Sequence, residues 1–316
     1  MQAGNGDGLM QGFASQSRWR LLRATIAAAC VFVVGTTAHA QTREDGAPAE
    51  TLGSADTAYA NAWGTGALFF NPAGLLRVPT VLLSAGYSYL DGYQGHALTA
   101  AAVDAKTNDM VAIGVAYTFI TGTPDDVGDR DGSQFRIGMG TGYRAGDIAL
   151  YAGVGARYLD LTIGKDDTDK GVDETNDVDD WTLDFGLILD FGHVVKLGVV
   201  GQNLLAIDSP EARRQLGLGL SFVFGDIDVS ADLDIDLSGE LETFKAYGFG
   251  IDYVVGDAFH LRAGVDIDPI NDTQRVTSGI GYSNETLALD LGYSSAVTDP
   301  TSMIFAVTLR FLPNSQ

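Results

Sequence analysis

Trp63-Gly-Thr-Gly-Ala-Leu-Phe-Phe-Asn-Pro-Ala-Gly-Leu-Leu-Arg77 is the stretch on which the reading of this chain turns. It is apolar enough to demand burial, yet Gly64, Gly66, Pro72 and Gly74 interrupt any regular helix or strand. A segment of that kind has to pack inside something that the rest of the chain builds.

What the rest builds is legible from Thr80 onward. One unit repeats, about ten residues of alternating polarity followed by a break, which is the period-2 pattern of strands with two differently solvated faces. About fourteen units are counted, beginning near Thr80, His96, Met110, Gln134, Asp147, Trp181, Val194, Arg213, Ile227, Thr243, Phe259, Gln274, Thr286 and Ser302. Every second break is minimal, as at Ala145-Gly146-Asp147, Gly192-His193, Gly225-Asp226 and Gly256-Asp257. The intervening breaks tend to be longer and more polar, notably Thr121 to Ser133 and the acidic Lys165 to Asp180. Tight turns at one end and longer loops at the other are the pattern of an outer-membrane barrel. The expectation is an all-β fold, a transmembrane antiparallel β-barrel of about 14 strands with an N-terminal internal plug. Its parts are an export leader over residues 1–40, a plug or hatch segment over 41–79 and the barrel over 80–316.

Individual strands support a lipid-facing apolar side. In Ile227 to Leu237 the odd positions are Ile, Val, Ala, Leu, Ile and Leu, whereas Asp228, Asp232, Asp234 and Asp236 share the other face. Tyr89, Phe119, Tyr158 and Trp181 fall near the loop end of their strands, and Tyr143, Phe191, Phe224, Tyr253, Phe259, Tyr282 and Phe311 near the turn end. Two aromatic belts are what the two interfaces of a membrane select.

The N-terminus reads as an exported chain. Arg18, Arg20 and Arg23 precede an apolar run from Ala24 to Gly35, and Ala38-His39-Ala40 is an A-x-A cleavage site. The one cysteine, Cys30, lies in that run, so the expected mature chain has none. Gln41 to Glu50 reads as a flexible polar start, and Thr51 to Asn61 as a short helix capped by Ser54 or Asp56. Residues 1–40 hold three of the 19 basic and one of the 41 acidic residues, so their removal takes net charge from −22 to −24. Nucleic acid is excluded as a partner, because phosphate binding needs basic patches. The expected surroundings are outer-membrane lipid and lipopolysaccharide in a Gram-negative envelope.

If the apolar face meets lipid, the other face lines the lumen. It would carry Arg136, Arg157, Lys196, Arg262 and Arg310 among its bases, and Asp184, Asp232, Asp234, Asp266 and Asp290 among its acids. Near-balance of the signs points to pairing across the lumen, with a path for substrate or ions as the other reading. The same face carries many glycines, among them Gly114, Gly138, Gly140, Gly142, Gly153, Gly155, Gly198, Gly219, Gly250, Gly264 and Gly281. Glycine weakens a strand unless something approaches its backbone closely, or unless it eases coiling and closure.

Ala55 to Arg77, with its core Phe69-Phe70-Asn71-Pro72-Ala73-Gly74-Leu75, resembles the N-terminal hatch of the FadL/TodX superfamily of hydrophobic-compound transporters, and equally that of PorV-like barrels. Gly201-Gln202-Asn203-Leu204 resembles a mid-barrel element of the PorV-like branch. The resemblance implies fourteen strands and hatch roles for Phe69, Phe70, Asn71, Pro72, Ala73 and Gly74. It also implies either uptake of a small hydrophobic, fatty-acid-like or aromatic substrate, or a scaffold that docks a secreted protein partner without transport. The chain departs from the transporters in its short loops and in an acid-rich lumen that would repel a fatty-acid carboxylate.

No phosphate loop, H-E-x-x-H, Cys-His cluster or G-x-S-x-G occurs, and His96, His193 and His260 have no ligand spacing. Asp125, Asp126, Asp129 and Asp131 miss the EF-hand spacing. Outer-membrane phospholipase or protease activity would need a Ser/His or paired-Asp arrangement at a rim, and the sequence reading assembles neither. Neither a catalytic residue nor a metal or cofactor is expected, and the chain does not read as an enzyme.

Overall fold

A computed structural model of the chain describes residues 45–91, 95–122, 129–164, 166–167, 172–173, 176–205, 207, 212–237, 245–269, 273–297 and 302–313. The expected leader over residues 1–40 and the acidic-loop residues Asp125 and Asp126 lie outside the described residues.

Alternating sequence becomes alternating burial in fourteen long strands. They are β1 Val81–Leu90, β2 Gly95–Asp104, β3 Val111–Thr121, β4 Asp129–Ala145, β5 Ile148–Gly164, β6 Asn176–Phe191, β7 Val195–Gln202, β8 Gln215–Phe224, β9 Ile227–Asp236, β10 Lys245–Val255, β11 Phe259–Asp268, β12 Thr273–Ser283, β13 Leu287–Ala296 and β14 Met303–Phe311. Each pairs antiparallel with its sequence neighbours, and β1 pairs with β14, so the sheet is a closed barrel without a free edge. The polarity is inverted relative to a soluble sandwich. On β3, Ala112 and Ala116 face inward and are buried, whereas Ile113, Tyr117 and Phe119 face outward with about half their surface exposed.

The tight turns take left-handed backbone, as at Gly256 (φ 60°) and Asp257 (φ 62°), which matches the twist of the flanking strands. At the opposite end the structure corrects the expected loops. Residues 129–133 and 176–180 continue β4 and β6, and Asp166–Asp167 pairs with Val172–Asp173 in a separate two-stranded piece. There the polarity of the two faces reverses. Ser133, Asp160 and Asp179 form an outward row in register, while Leu159, Leu161 and Val178 are buried inside with Ile120, Ala97 and Ala212. Just below that row, Phe135, Tyr158 and Trp181 are aligned across the same three strands, the last two rings 5.1 Å apart.

Residues 45–79 lie inside the barrel. Their helix, α1 (Ala49–Gly53), is shorter and earlier than the Thr51–Asn61 span expected, and Pro48 rather than Ser54 or Asp56 is its N-cap. It stops because Ala55 (φ 57°) and Asp56 (φ 53°) turn the chain left-handed. Two 3₁₀ turns follow, Gly64–Leu68 and Pro72–Leu76, the second opened by Asn71, whose side chain accepts from Ala73 N. The principal core lies between this inner segment and the barrel wall. Leu68, Phe69, Phe70, Leu75 and Tyr59 pack there against inward alanines such as Ala101, Ala112, Ala116 and Ala149. Each large apolar side chain so buried is worth about 1.5–3 kcal/mol.

Candidate functional site

The inner segment makes one circuit of the lumen, following the strands in their barrel order. Gly46 lies against Thr99 and Thr118 of β2 and β3, and Ala49 N donates to Thr308 Oγ1 of β14 (2.8 Å). Thr277 Oγ1 of β12 donates to Gly53 O (3.1 Å), and Thr57 Oγ1 meets Ser230 Oγ of β9 (2.7 Å). Tyr59 and Ala60 cross β8 and β7, and Asn71 crosses β6. Pro72 then crosses β5 and β4, and Leu75 returns to β3.

Glycines make this path possible. They occur as cross-strand pairs in register: Gly279 with Gly292, Gly250 with Gly264, Gly198 with Gly219, Gly153 with Gly186 and with Gly140, and Gly114 with Gly138. A Cβ at Gly219 would stand 2.6 Å from Ala60 N, and one at Gly279 2.9 Å from Gly53 Cα. At Gly153, Gly186, Gly198 and Gly292 it would overlap Pro72, Asn71, Tyr59 and Ala49 outright. Of the two roles a lumen-facing glycine could have, close approach of another backbone is therefore the one found along the circuit. Gly142, Gly155 and Gly281 are exceptions: Gly142 makes room for Tyr151 and Gly281 for Asp290 with Arg262, whereas a Cβ at Gly155 would make only ordinary contact with Asp184. Gly186 and Gly292 escaped the sequence reading, although both sit in the same alternation phase as those it found.

Polar anchors tie the segment down. Asp232 Oδ2 accepts from Ala58 N (2.7 Å) and Tyr59 N (2.9 Å), and Tyr59 Oη donates to Asp234. Asn71, fully buried, donates through Nδ2 to Tyr59 O (2.8 Å) and accepts at Oδ1 from Ala73 N (3.1 Å). Arg77 donates to Ala62 O (2.8 Å), which clasps the end of the circuit to its middle. Burial pushes the Arg77 guanidinium below its ordinary value, countered in part by Asp190, Tyr151 and Asp228.

The lumen-facing charges named from sequence fall into three groups. Arg136 donates to Leu68 O (3.2 Å), lies over the Phe69 ring at 4.9 Å and faces Asp184 at 3.9 Å. Asp184 accepts from Asn203 N (2.8 Å), and Arg157 reaches Asn203 Oδ1 (3.5 Å). Gln202 Nε2 donates to Phe69 O (3.0 Å), so the Gly201-Gln202-Asn203 element and the Phe69-Phe70-Asn71-Pro72 element touch. Nearer the tight-turn end, Asp290 bridges Arg262 (2.7 Å) and Arg310 (2.5 Å), and Arg310 also pairs with Glu50 (3.2 Å) and covers the Trp63 ring. Burial pushes the Glu50 carboxyl above its ordinary value, against the opposing pull of Arg310. Lys196 holds Asn61 Oδ1 (3.0 Å) and Asp228 (3.4 Å). Asp266 faces a cavity of about 150 Å³ on the long-loop side of the segment, with Asp232, Asp234 and Asp268. A second cavity, about 540 Å³, lies on the tight-turn side, and Phe70 lines both. Glu50 and Tyr59 were missed as anchors, since nothing in a polar leader-proximal stretch marks one residue over its neighbours.

No protein-family model and no characterised protein sequence matches the chain. Solved structures do. The CymD monoaromatic hydrocarbon channel superposes with a TM-score of 0.61 at 16% identity, covering 84% of this chain and 97% of that one. A Pseudomonas aeruginosa FadL homologue gives 0.57 at 13%, covering 84% and 98%, and the Pseudomonas putida toluene transporter TodX gives 0.55 at 14%, covering 84% and 96%. The barrel shares its fold with the FadL and TodX channels. That FadL-like fold accounts for the strand number and closure; the glycine-paired circuit, the Asp290 network and the two cavities are read from this chain's own residues.

Proposed function

We propose that the chain is an outer-membrane barrel that admits small neutral hydrophobic compounds, with residues 45–79 as a plug that shifts to let them pass. The observation that carries this is the circuit itself: a segment inside the barrel, seated by glycine pairs and held at polar anchors without a covalent tie. The outward apolar face supports the membrane location. On β5 it runs from Ile148 to Tyr158, and a spanning strand needs about 9–11 residues. It ends at the Phe135–Tyr158–Trp181 row, beneath an outward acidic row that belongs in water. Such a band of exposed apolar side chains would be a liability in water. The named function of the CymD and TodX channels, passage of monoaromatic hydrocarbon, agrees with a lumen whose charged side chains are largely paired with one another.

Thr57→Cys with Ser230→Cys tests the moving plug, because the two hydroxyls stand 2.7 Å apart and no cysteine follows Cys30. Uptake of toluene into proteoliposomes is expected to stop on oxidation and return on reduction. Equal uptake in both states would refute plug movement. A second reading, a docking scaffold for a secreted partner, is favoured by the dense ion pairing around Asp290; absence of uptake by folded, reduced protein would select it.

A further inference from the structure

Three inward residues at the tight-turn rim, on three consecutive strands, stand in a nucleophile–base–carboxylate order. His260 on β11 presents Nδ1 to Asp252 of β10, at 3.1 Å from Oδ1 and 3.2 Å from Oδ2. Its other nitrogen, Nε2, faces Ser283 Oγ of β12 at 3.4 Å. Asp252 and Ser283 are the diagonal neighbours of His260, which is opposite Val254 on one side and Gly281 on the other. Gly281 has no side chain to crowd the imidazole. A carboxylate at Nδ1 fixes the tautomer that leaves Nε2 free to accept the serine proton, and a separation slightly beyond hydrogen-bond range is usual before a substrate is bound. Arg262 Nε, 2.8 Å from Asp252 Oδ2, holds the carboxylate in place.

All three line the 540 Å³ cavity beneath the plug, a volume within the range of small-molecule sites. Its wall adds apolar Ala62, Trp63 and Phe70. We propose that Ser283, His260 and Asp252 hydrolyse small carboxylic esters in this cavity, a second activity independent of transport. Ser283 Oγ attacks the ester carbonyl carbon as its proton passes to His260 Nε2. The tetrahedral adduct collapses, the carbonyl carbon to alkoxy-oxygen bond breaks, and the departing alcohol takes the proton from His260. Water then attacks the acyl-serine, giving one proton to His260 and through it back to Ser283, and the carboxylic acid leaves. The sum is ester plus water to acid plus alcohol.

The amides nearest the nucleophile are engaged: Ser283 N donates to Ala258 O and Asn284 N to Leu287 O. The guanidiniums on the same wall, Arg262 and Arg310, are already paired with Asp252, Asp290 and Glu50, and losing even one oxyanion donor costs about 10²–10³ in rate. Turnover is therefore expected to be slow, and covalent capture is the better readout. The test treats full-length, detergent-folded protein with a small fluorophosphonate and maps the adduct by peptide mass spectrometry. Phosphonylation at Ser283 in preference to the chain's other serines is expected, with hydrolysis of p-nitrophenyl butyrate above the rate of Ser283→Ala. His260→Gln should slow capture about 10²-fold or more. No adduct at Ser283 in folded wild-type protein would overturn the proposal, as would labelling spread over other serines or unchanged in His260→Gln. The distribution among serines in the wild type decides the matter even if a variant fails to fold.

Discussion

Asn71→Ala removes the side chain on which the inner segment's two arms hang. In the native structure its Nδ2 donates to Tyr59 O at 2.8 Å, and its Oδ1 accepts from Ala73 N at 3.1 Å, with no part of the side chain exposed. Truncation removes two hydrogen bonds from a fully buried site, each loss costing about 1–3 kcal/mol, so about 3 kcal/mol is a moderate sum. Most of it falls on the seating of the inner segment, because the side chain's contacts with the wall, Nδ2 to Leu187 O (3.3 Å) and to Val199 O (3.4 Å), are its longest. At about 1.4 kcal/mol per decade, opening of the segment becomes about a hundredfold more frequent. Hydrogen exchange in detergent, read by peptide mass spectrometry, would show residues 49–76 losing about two decades of protection while the strand peptides stay unchanged. Asn71→Asp keeps the acceptor for Ala73 N but turns a carboxylate toward Tyr59 O, and should lose at least as much. Protection of residues 49–76 within threefold of wild type would refute the reasoning, and so would a loss shared evenly with the strands.

Gly219→Ala, whose Cβ would lie 2.6 Å from Ala60 N, should destabilise the folded protein by about 1–3 kcal/mol in urea titrations, whereas Gly155→Ala, whose Cβ would make an ordinary 3.6 Å contact with Asp184 Cβ, should be neutral within about 0.5 kcal/mol. Asp290→Ala should cost about 1.5–3 kcal/mol, since it removes the carboxylate that Arg262 and Arg310 share and leaves them Asp252 and Glu50, and the loss should persist in molar salt because the network is buried. Glu50, raised by burial, is protonated in the folded state at pH values where the unfolded chain has already lost the proton. Its contribution is full below the ordinary Glu range and fades as pH rises through the raised value, with a slope of at most about 1.4 kcal/mol per pH unit. Glu50→Gln should flatten that part of the stability profile in pH-dependent melting; an unchanged slope would count against it.

The barrel was legible because its signal is redundant. Period-2 polarity recurs in every strand, and one residue's slip would turn a whole face over, so Ile227 to Asp236 alone fixes which side its aspartates take. The same rule hid the strand extensions. Above the Tyr158 row the faces exchange polarity, and the acids at 177 and 179 read as loop although they remain in register with their neighbours. The lumen glycines were visible as a set, but their pairing needs the register of every hairpin. The helix was misplaced because left-handed Ala55 is not a residue whose identity announces that conformation. The Asp252–His260–Ser283 grouping was illegible for a related reason. Its members lie on three strands, and only the turn at Gly256-Asp257, which sets Val254 opposite His260, brings the first two together.

Near-balance of lumen charge suggested pairing throughout, yet the inner segment divides it unevenly. On its long-loop side Asp56, Asp232, Asp234, Asp266 and Asp268 face a cavity with Arg275, whereas on its tight-turn side Arg77, Lys196, Arg262 and Arg310 are matched by Glu50, Asp228, Asp252 and Asp290. At an effective dielectric of about 20, an ionised carboxylate about 8 Å from an anion repels it by about 2 kcal/mol, so each acid of this chamber that is charged disfavours a carboxylate while leaving a neutral compound untouched. The barrier has a direction. A neutral ester crossing from the long-loop side would meet Ser283 beyond the inner segment, and the carboxylate released there would have the acidic chamber across its way back. Hydrolysis on the tight-turn side would then turn a reversible passage of neutral compounds into a one-way one, with no energy source beyond the ester bond.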